Sequence, residues 1–235
     1  MNTPKVAILI PAYNQPENLR VALQSIEMQT YEDYHVVIMD DTRDDRNYEV
    51  IKEFPDLSLT YHKNKWVFGS PANWNNAIRN SRSDYIKFLH HDDWFKYPDS
   101  LERYVAALDD NPDCDFAYSQ SNGCNEKREV IYEHRPDITR LKYWGSLMRQ
   151  NIIGAPSATI YRRSVGVEFD TRLRWLVDVD FYMRVLRKNP NVVFIESDLV
   201  NCLVSDKSVS HEYQTSCMKR ATENLYLGLK TIGGI

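Results

Sequence analysis

Tyr85-Ile86-Lys87-Phe88-Leu89-His90-His91-Asp92-Asp93 is an apolar run that stops abruptly in two imidazoles and two carboxylates. Such a run suits a buried strand, and the four polar residues behind it suit a strand's exposed carboxyl end. The same grammar occurs twice upstream. Val6-Ala7-Ile8-Leu9-Ile10 passes into Pro11-Ala12-Tyr13-Asn14, and His35-Val36-Val37-Ile38-Met39 passes into Asp40-Asp41. Helical spacing fills the gaps. Pro16 suits a first turn before Leu19, Ala22, Leu23 and Ile26, residues 46–54 continue the alternation, and Trp74, Ala77 and Ile78 share a stripe within 72–81. A third strand is expected at 57–61, and a helix from about Pro98 turns Leu101, Tyr104, Val105 and Leu108 inward. Strand and helix in alternation predict an α/β fold with a mostly parallel central sheet flanked by helices.

The second half is less regular. Residues 119–140 are polar and weakly periodic, which predicts a loop; 157–161 and 192–195 read as strands and 178–187 as a helix. No internal repeat, low-complexity tract or linker divides the chain, so residues 1–235 are read as a single domain.

The 235 residues carry 29 Lys+Arg against 33 Asp+Glu, a net charge of −4, with 43% hydrophobic and 26% charged residues. That composition supports a full core and excludes global disorder. No basic footprint is present, so nucleic acid is not an expected partner. Four cysteines without a C-x-x-C pair read as free thiols. The opening lacks the pattern of a signal peptide, and no apolar run reaches the ~20 residues of a membrane span. A cytoplasmic protein without a span is expected, with peripheral membrane contact left open.

Three acidic pairs stand where elements join: Asp40 with Asp41, Asp92 with Asp93, and Asp178 with Asp180. Each has an ordinary structural reading. Asp40 and Asp41 suit an Asx-turn or cap, Asp178 an N-cap, and Asp180 an i,i+4 pair with Arg184. Together they offer hard oxygen ligands for Mg²⁺ or Mn²⁺ carrying a nucleotide diphosphate, with a separate carboxylate, Asp178, available as general base. Neither G-x-G-x-x-G after the first strand nor G-x-x-x-x-G-K-[ST] occurs, which excludes a standard dehydrogenase or P-loop protein.

At this point the chain resembles the family 2 glycosyltransferases, which have a GT-A (Rossmann-like) fold. The resemblance rests on the three strand ends above, Gly69-Ser70-Pro71-Ala72-Asn73-Trp74-Asn75-Asn76-Ala77-Ile78, Gly154-Ala155-Pro156-Ser157 and Trp175-Leu176-Val177-Asp178-Val179-Asp180-Phe181, in order over roughly residues 5–185. It implies a nucleotide-sugar-binding half to about residue 95 and an acceptor-binding half from about 96 to 235. Transfer would be of one sugar, with inversion, from a nucleotide-diphosphate sugar, UDP-linked as first expectation, to a hydroxyl of a glycan, lipid-linked saccharide or other acceptor. The resemblance places Pro11, Ala12, Tyr13, Asp41 and Asn75 around the nucleotide and Asp92 on ribose or metal. Asp93 is a second metal ligand, and His211 is a candidate third. Asp178 is the base. Two positions depart from the family pattern: His90 stands where an aspartate is frequent, and Val177 replaces the glutamate before the base. Trp175 has two readings, stacking on a sugar or packing in the core. Arg162 and Arg163 either offset phosphate charge or lie solvated. Tyr13 has packing as its rival role, and Asn75 a plain helix surface. Two other readings stay open: a binding domain that has lost turnover, and a sugar nucleotidyltransferase.

Overall fold

In the computed structural model, which describes residues 3–206, 212–213 and 215–233, β1 (Val6–Ala12) is buried along its whole length. The pleat sends Val6, Ile8 and Ile10 into one core and Ala7 and Leu9 into another. A strand covered on both faces has no polar position to fill, which is why this run reads as continuous apolar sequence. α1 (Pro16–Glu27) follows, with Leu19, Ala22, Leu23 and Ile26 on its buried stripe. β2 (Tyr34–Asp40), α2 (Arg46–Ile51), β3 (Leu59–Lys63), α3 (Ala72–Arg79) and β4 (Tyr85–Phe88) complete the repeating half. β1 lies between β2 and β4 and β3 lies outside β2, all parallel, with Ala12 opposite Asp40. The loops after β1, β2 and β4 therefore emerge on one edge, as the sequence predicts.

The rest of the chain adds β5 (Asp93–Phe95), α4 (Ser100–Asp109), β6 (Phe116–Cys124), β7 (Val130–His134), β8 (Thr159–Arg162), α5 (Val177–Lys188), β9 (Val192–Leu203) and α6 (Cys217–Gly233). One sheet results, in the order β3-β2-β1-β4-β8-β6-β9-β5, with β7 beside β6. Its long ladders, β1–β2, β2–β3 and β6–β9, are parallel, and antiparallel β8 joins the two parallel blocks. α1, α2 and α4 contribute to the core on one face, and α3, α5 and α6 to that on the other.

Two departures from the sequence reading matter for the site. Residues 119–140, expected as a loop, hold most of β6 and all of β7. The polar look of β6 misleads because its polar side chains are buried with partners: Ser119 Oγ lies 2.5 Å from the Tyr104 hydroxyl, and Asn122 Nδ2 donates to Asn201 Oδ1 at 3.0 Å. The second departure is length. β9 continues to Leu203 because it pairs with β6 along one side and β5 along the other. Among the described residues no helix is long and apolar enough to cross a membrane.

Candidate active site

The edge formed by the ends of β1 and β2 is built around two buried carboxylates with different duties. Asp40 Oδ1 accepts from Thr42 N (2.9 Å) and Asn47 Nδ2 (3.0 Å), and its Oδ2 from the Tyr61 hydroxyl (2.8 Å). This is the Asx-turn reading, and it belongs to Asp40. Asp41 instead gathers a loop: Oδ1 accepts from Asn64 Nδ2 (2.8 Å) and Phe68 N (3.2 Å), and Oδ2 from Gly69 N (2.8 Å). Pro11 and Ala12 are buried beneath this edge, whereas Tyr13 is 51% exposed. The loop also leaves Trp66 and Phe68 exposed.

Beyond β4 the chain turns so that one ligand atom each from His90, Asp92 and Asp93 lies within 4.8 Å of the others. Burial lowers the His90 pKa to about 4, so the ring is neutral at physiological pH, and its buried Nε2 has no partner among the described residues. Burial, then the neighbouring Asp92 charge, raises the Asp93 pKa. A neutral imidazole with an unpaired nitrogen beside two carboxylates is a donor set that fits a divalent cation. His90, where the family pattern suggests an aspartate, is thus grouped with Asp92 and Asp93. His91 Nδ1 lies 3.2 Å from the Pro11 carbonyl and ties this turn to the first edge. His211 lies outside the described residues.

Asp178 occupies the first turn of α5, one residue inside the helix instead of at its cap; Leu176 is the N-cap residue. Its Oδ1 accepts from Val179 N and its Oδ2 from Asn151 Nδ2, both at 2.8 Å. Burial nevertheless prevails and raises the pKa to about 7, with Glu223 adding a smaller push in the same direction. The carboxyl group faces a cavity of about 630 Å³ that Trp175 and Asn151 also line.

One segment joins the two clusters. At its start Asn151 holds Asp178; at its end Ser157 Oγ accepts from His90 N at 2.9 Å and its hydroxyl donates to Asp93. Fully buried Lys87, its pKa lowered by burial to about 7, donates to the Ser157 carbonyl from below. The turn between depends on Gly154, at φ +99°, where a Cβ would come within 2.9 Å of the His134 ring on β7. The misread hairpin therefore shapes the floor of the site. Sequence reasoning singled out Gly154 and Ser157 but not Asn151, whose amide has no recognisable pattern around it.

Glu223, on α6, was also missed. Its buried carboxylate accepts from the backbone N–H groups of Arg174 (2.9 Å), Trp175 (3.0 Å) and Leu176 (2.9 Å), and from the Tyr213 hydroxyl (2.8 Å). From 47–49 residues away it thus fixes the backbone that leads into α5, up to and including the N-cap residue Leu176. The C-terminal helix is locked a second time by Lys230, which donates to Asp170 (2.8 Å) and Asp180 (2.6 Å). Asp180 does pair with Arg184, as its spacing predicts, but it is buried and not a surface residue.

Other candidates have structural employment. Asn75 Oδ1 accepts from Phe169 N (2.8 Å) and its Nδ2 donates to Phe169 O (2.9 Å), so it is buried and not part of a helix surface. Phe169 stacks on Phe181 and meets Trp74 edge-on, so Asn75 secures the aromatic layer behind His90. Replacing Asn75 by Ala leaves two buried backbone groups unpaired and is expected to cost about 2–4 kcal/mol in urea unfolding. Arg162 and Arg163 are neither solvated nor free for phosphate: they donate to the carbonyls of Cys114, Leu108 and Ser83. Trp175 stacks on Tyr213 at 5.8 Å while lining the cavity, so it is not simply core.

Comparison with known proteins agrees with this geometry. The family model for glycosyl transferase family 2 matches residues 7–167. An uncharacterized glycosyltransferase of Methanocaldococcus jannaschii is 25% identical over 237 residues, covering 98% of this chain and 80% of its own. Another, from Rickettsia felis, is 30% identical over 84% of this chain but only 34% of its own. Among solved structures, S. aureus TarS 1-349 in complex with UDP-GlcNAc superposes with a TM-score of 0.72 at 17% identity, covering 88% of this chain and 60% of that one. The mannosyltransferase PcManGT from Pyrobaculum calidifontis, in complex with GDP-Man and Mn²⁺, gives 0.71 at 18% identity, covering 98% and 65%. The chain thus spans about two thirds or less of these solved chains, whose likeness shows the fold. On the family match, which covers more than half of its residues and includes all three strand ends, this chain belongs to glycosyl transferase family 2 and is a glycosyltransferase.

Proposed function

We propose that the protein transfers one sugar, with inversion, from a nucleotide-diphosphate sugar to an acceptor hydroxyl, using Asp178 as general base. The observation that supports this most is the 151–157 segment. It holds a carboxyl of pKa about 7 at one end and a donor set fit for a cation at the other, within one rigid stretch. A base of that pKa is deprotonated in useful amount at neutral pH yet still holds an abstracted proton.

In this reading Pro11, Ala12 and Tyr13 receive the base. Asp41 Oδ2, which accepts one hydrogen bond, has a lone pair left for ribose or base. His90, Asp92 and Asp93 would hold Mn²⁺ or Mg²⁺, and the imidazole favours Mn²⁺ because Mg²⁺ prefers an all-oxygen shell. The bound ion would neutralise charge on the leaving diphosphate. Asn151 orients Asp178 toward the cavity, where Asp178 takes the proton of the attacking hydroxyl. Trp175 offers a face to the acceptor ring. Asn75 acts through Phe169 instead of touching the nucleotide. The UDP-sugar bound to TarS and the GDP-sugar with Mn²⁺ bound to the mannosyltransferase make UDP and GDP the nucleotides to test first.

Thermal unfolding with UDP or GDP, with and without Mn²⁺, tests the donor site. At 100 times the dissociation constant a ligand adds about 2.7 kcal/mol, or roughly 5–10 °C for a chain of this size. The expected result is a metal-dependent shift with one nucleotide that disappears in Asp92→Ala. No shift with either nucleotide, or an equal shift in Asp92→Ala, would reject the assigned donor site.

A further inference from the structure

The cavity beside Asp178 carries more positive charge than the base requires. Arg149 and Arg220 both line it, together with Gln150, Asn151, Asn224 and Trp175. Asp178 is the only carboxylate among its described lining residues. Neither guanidinium has a side-chain hydrogen bond or ion pair among the described residues. Other arginines of the chain, such as Arg20 with Glu53, Arg79 with Glu168 and Arg184 with Asp180, are held in ion pairs. Nor are these two the principal support of the base. The main groups favouring its carboxylate are the Val179 and Asp178 backbone N–H groups and Asn151. Two cations drawn from separate elements, one ahead of the 151–157 segment and one on α6, line a partly enclosed space whose described lining holds a single carboxylate, Asp178.

A guanidinium presents a planar fork that matches two oxygens of a phosphate or carboxylate; Arg149 is exposed and Arg220 half-buried, so both are accessible to an incoming anion. Gln150, Asn151 and Asn224 supply uncharged donors and acceptors suited to sugar hydroxyls, and Trp175 supplies an aromatic face, already braced by Tyr213. We propose that the acceptor is an anionic saccharide, bearing a phosphate or a carboxylate that Arg149 and Arg220 bind while its hydroxyl faces Asp178. The proposal rests on the transferase reading above and adds the chemical class of the acceptor to it.

Titrations of glucose 6-phosphate, glucuronate and uncharged methyl glucoside, followed by saturation-transfer NMR at constant ionic strength, test it on the full chain. The expected result is at least tenfold tighter binding of one or both anionic probes than of the glucoside. That advantage should vanish in the Arg149→Gln/Arg220→Gln double variant and persist in part in the Arg149→Lys/Arg220→Lys variant, which keeps the charge but not the fork. Preference between the two anionic probes tells phosphate from carboxylate. Equal binding of charged and uncharged probes, no binding of either anion, or an advantage that survives in the double glutamine variant each overturns the proposal. The Mn²⁺-dependent nucleotide shift, measured on the same samples, separates the two readings. If that shift is present and the anion advantage absent, only the acceptor class is wrong; if the shift is absent, the assigned donor site fails. An unchanged shift in the double variant also shows that it is folded.

Discussion

Asp178→Asn is expected to lower turnover by about 10²–10⁴, the usual contribution of a general base, while nucleotide binding and folding are retained. The substitution keeps the shape of the side chain, and its one amide oxygen can still accept from either Val179 N or Asn151 Nδ2, but the amide cannot accept the acceptor's proton. Steady-state kinetics with a competent donor and acceptor measures the loss, and full activity in Asp178→Asn would remove Asp178 from the mechanism. The pH dependence follows from burial. With a pKa near 7, the wild-type rate should rise as pH increases through about 7, because only the deprotonated carboxyl can act as a base. Stability should move the opposite way. The folded state keeps the Asp178 proton up to about pH 7, whereas the unfolded chain releases it near the ordinary value of 3.8. Between those values the folded state binds more protons, so this group's contribution to stability falls as pH rises. Asp178→Asn removes the buried charge, and the variant should melt at a higher temperature than wild type at pH 8 but not at pH 4.

Glu223→Ala should have the largest effect on stability. It deletes a buried acceptor of three backbone N–H groups and one hydroxyl, and each buried donor left unpaired costs about 1–3 kcal/mol unless water reaches it. A loss of roughly 3–5 kcal/mol, and a fall in melting temperature of about 10 °C or more, is expected. Catalysis should suffer as well, because the same carboxylate fixes the backbone of Trp175 and the first turn that carries Asp178. Glu223→Gln separates the two effects. It preserves most of the packing and removes the negative charge that helps to raise the Asp178 pKa, so the acid limb of the pH–rate profile should move to lower pH. An unchanged profile in a folded Glu223→Gln would show that Glu223 is structural only. Position 177 bears on this point. The family pattern suggests a glutamate there, but Val177 is buried in the core, and the acidic group that acts on the Asp178 pKa is Glu223 of α6.

The repeating half was legible because its physics is local. Strands buried on both faces must be apolar throughout, amphipathic helices must repeat at 3.6 residues, and parallel strands place their carboxyl ends on one edge. From those rules alone the loops at Asp41 and Asp93 fall together. β6 was not legible, because Ser119 and Asn122 look like loop residues until Tyr104, Asp198 and Asn201 stand beside them. Asn75 and Arg162 misled for the same reason: a polar side chain in isolation does not reveal that its partner is a backbone carbonyl far along the chain.

By itself the sequence determined the α/β class, the shared edge of the first parallel strands with Asp41, Asp92 and Asp93 on it, and the place of Asp178 at the start of a helix. Each of these follows from periodicity or from a residue's place at the end of an element. Only the tertiary structure decided what each acid does. Asp40 closes a turn while Asp41 gathers a loop, and the buried, neutral His90 stands beside Asp92 and Asp93. Asn151 and Glu223 aim and tune Asp178, and Arg149 and Arg220 meet at one cavity. The physical reason is that protonation state and hydrogen-bond capacity depend on burial and on neighbours brought from distant parts of the chain, and neither is encoded in local spacing.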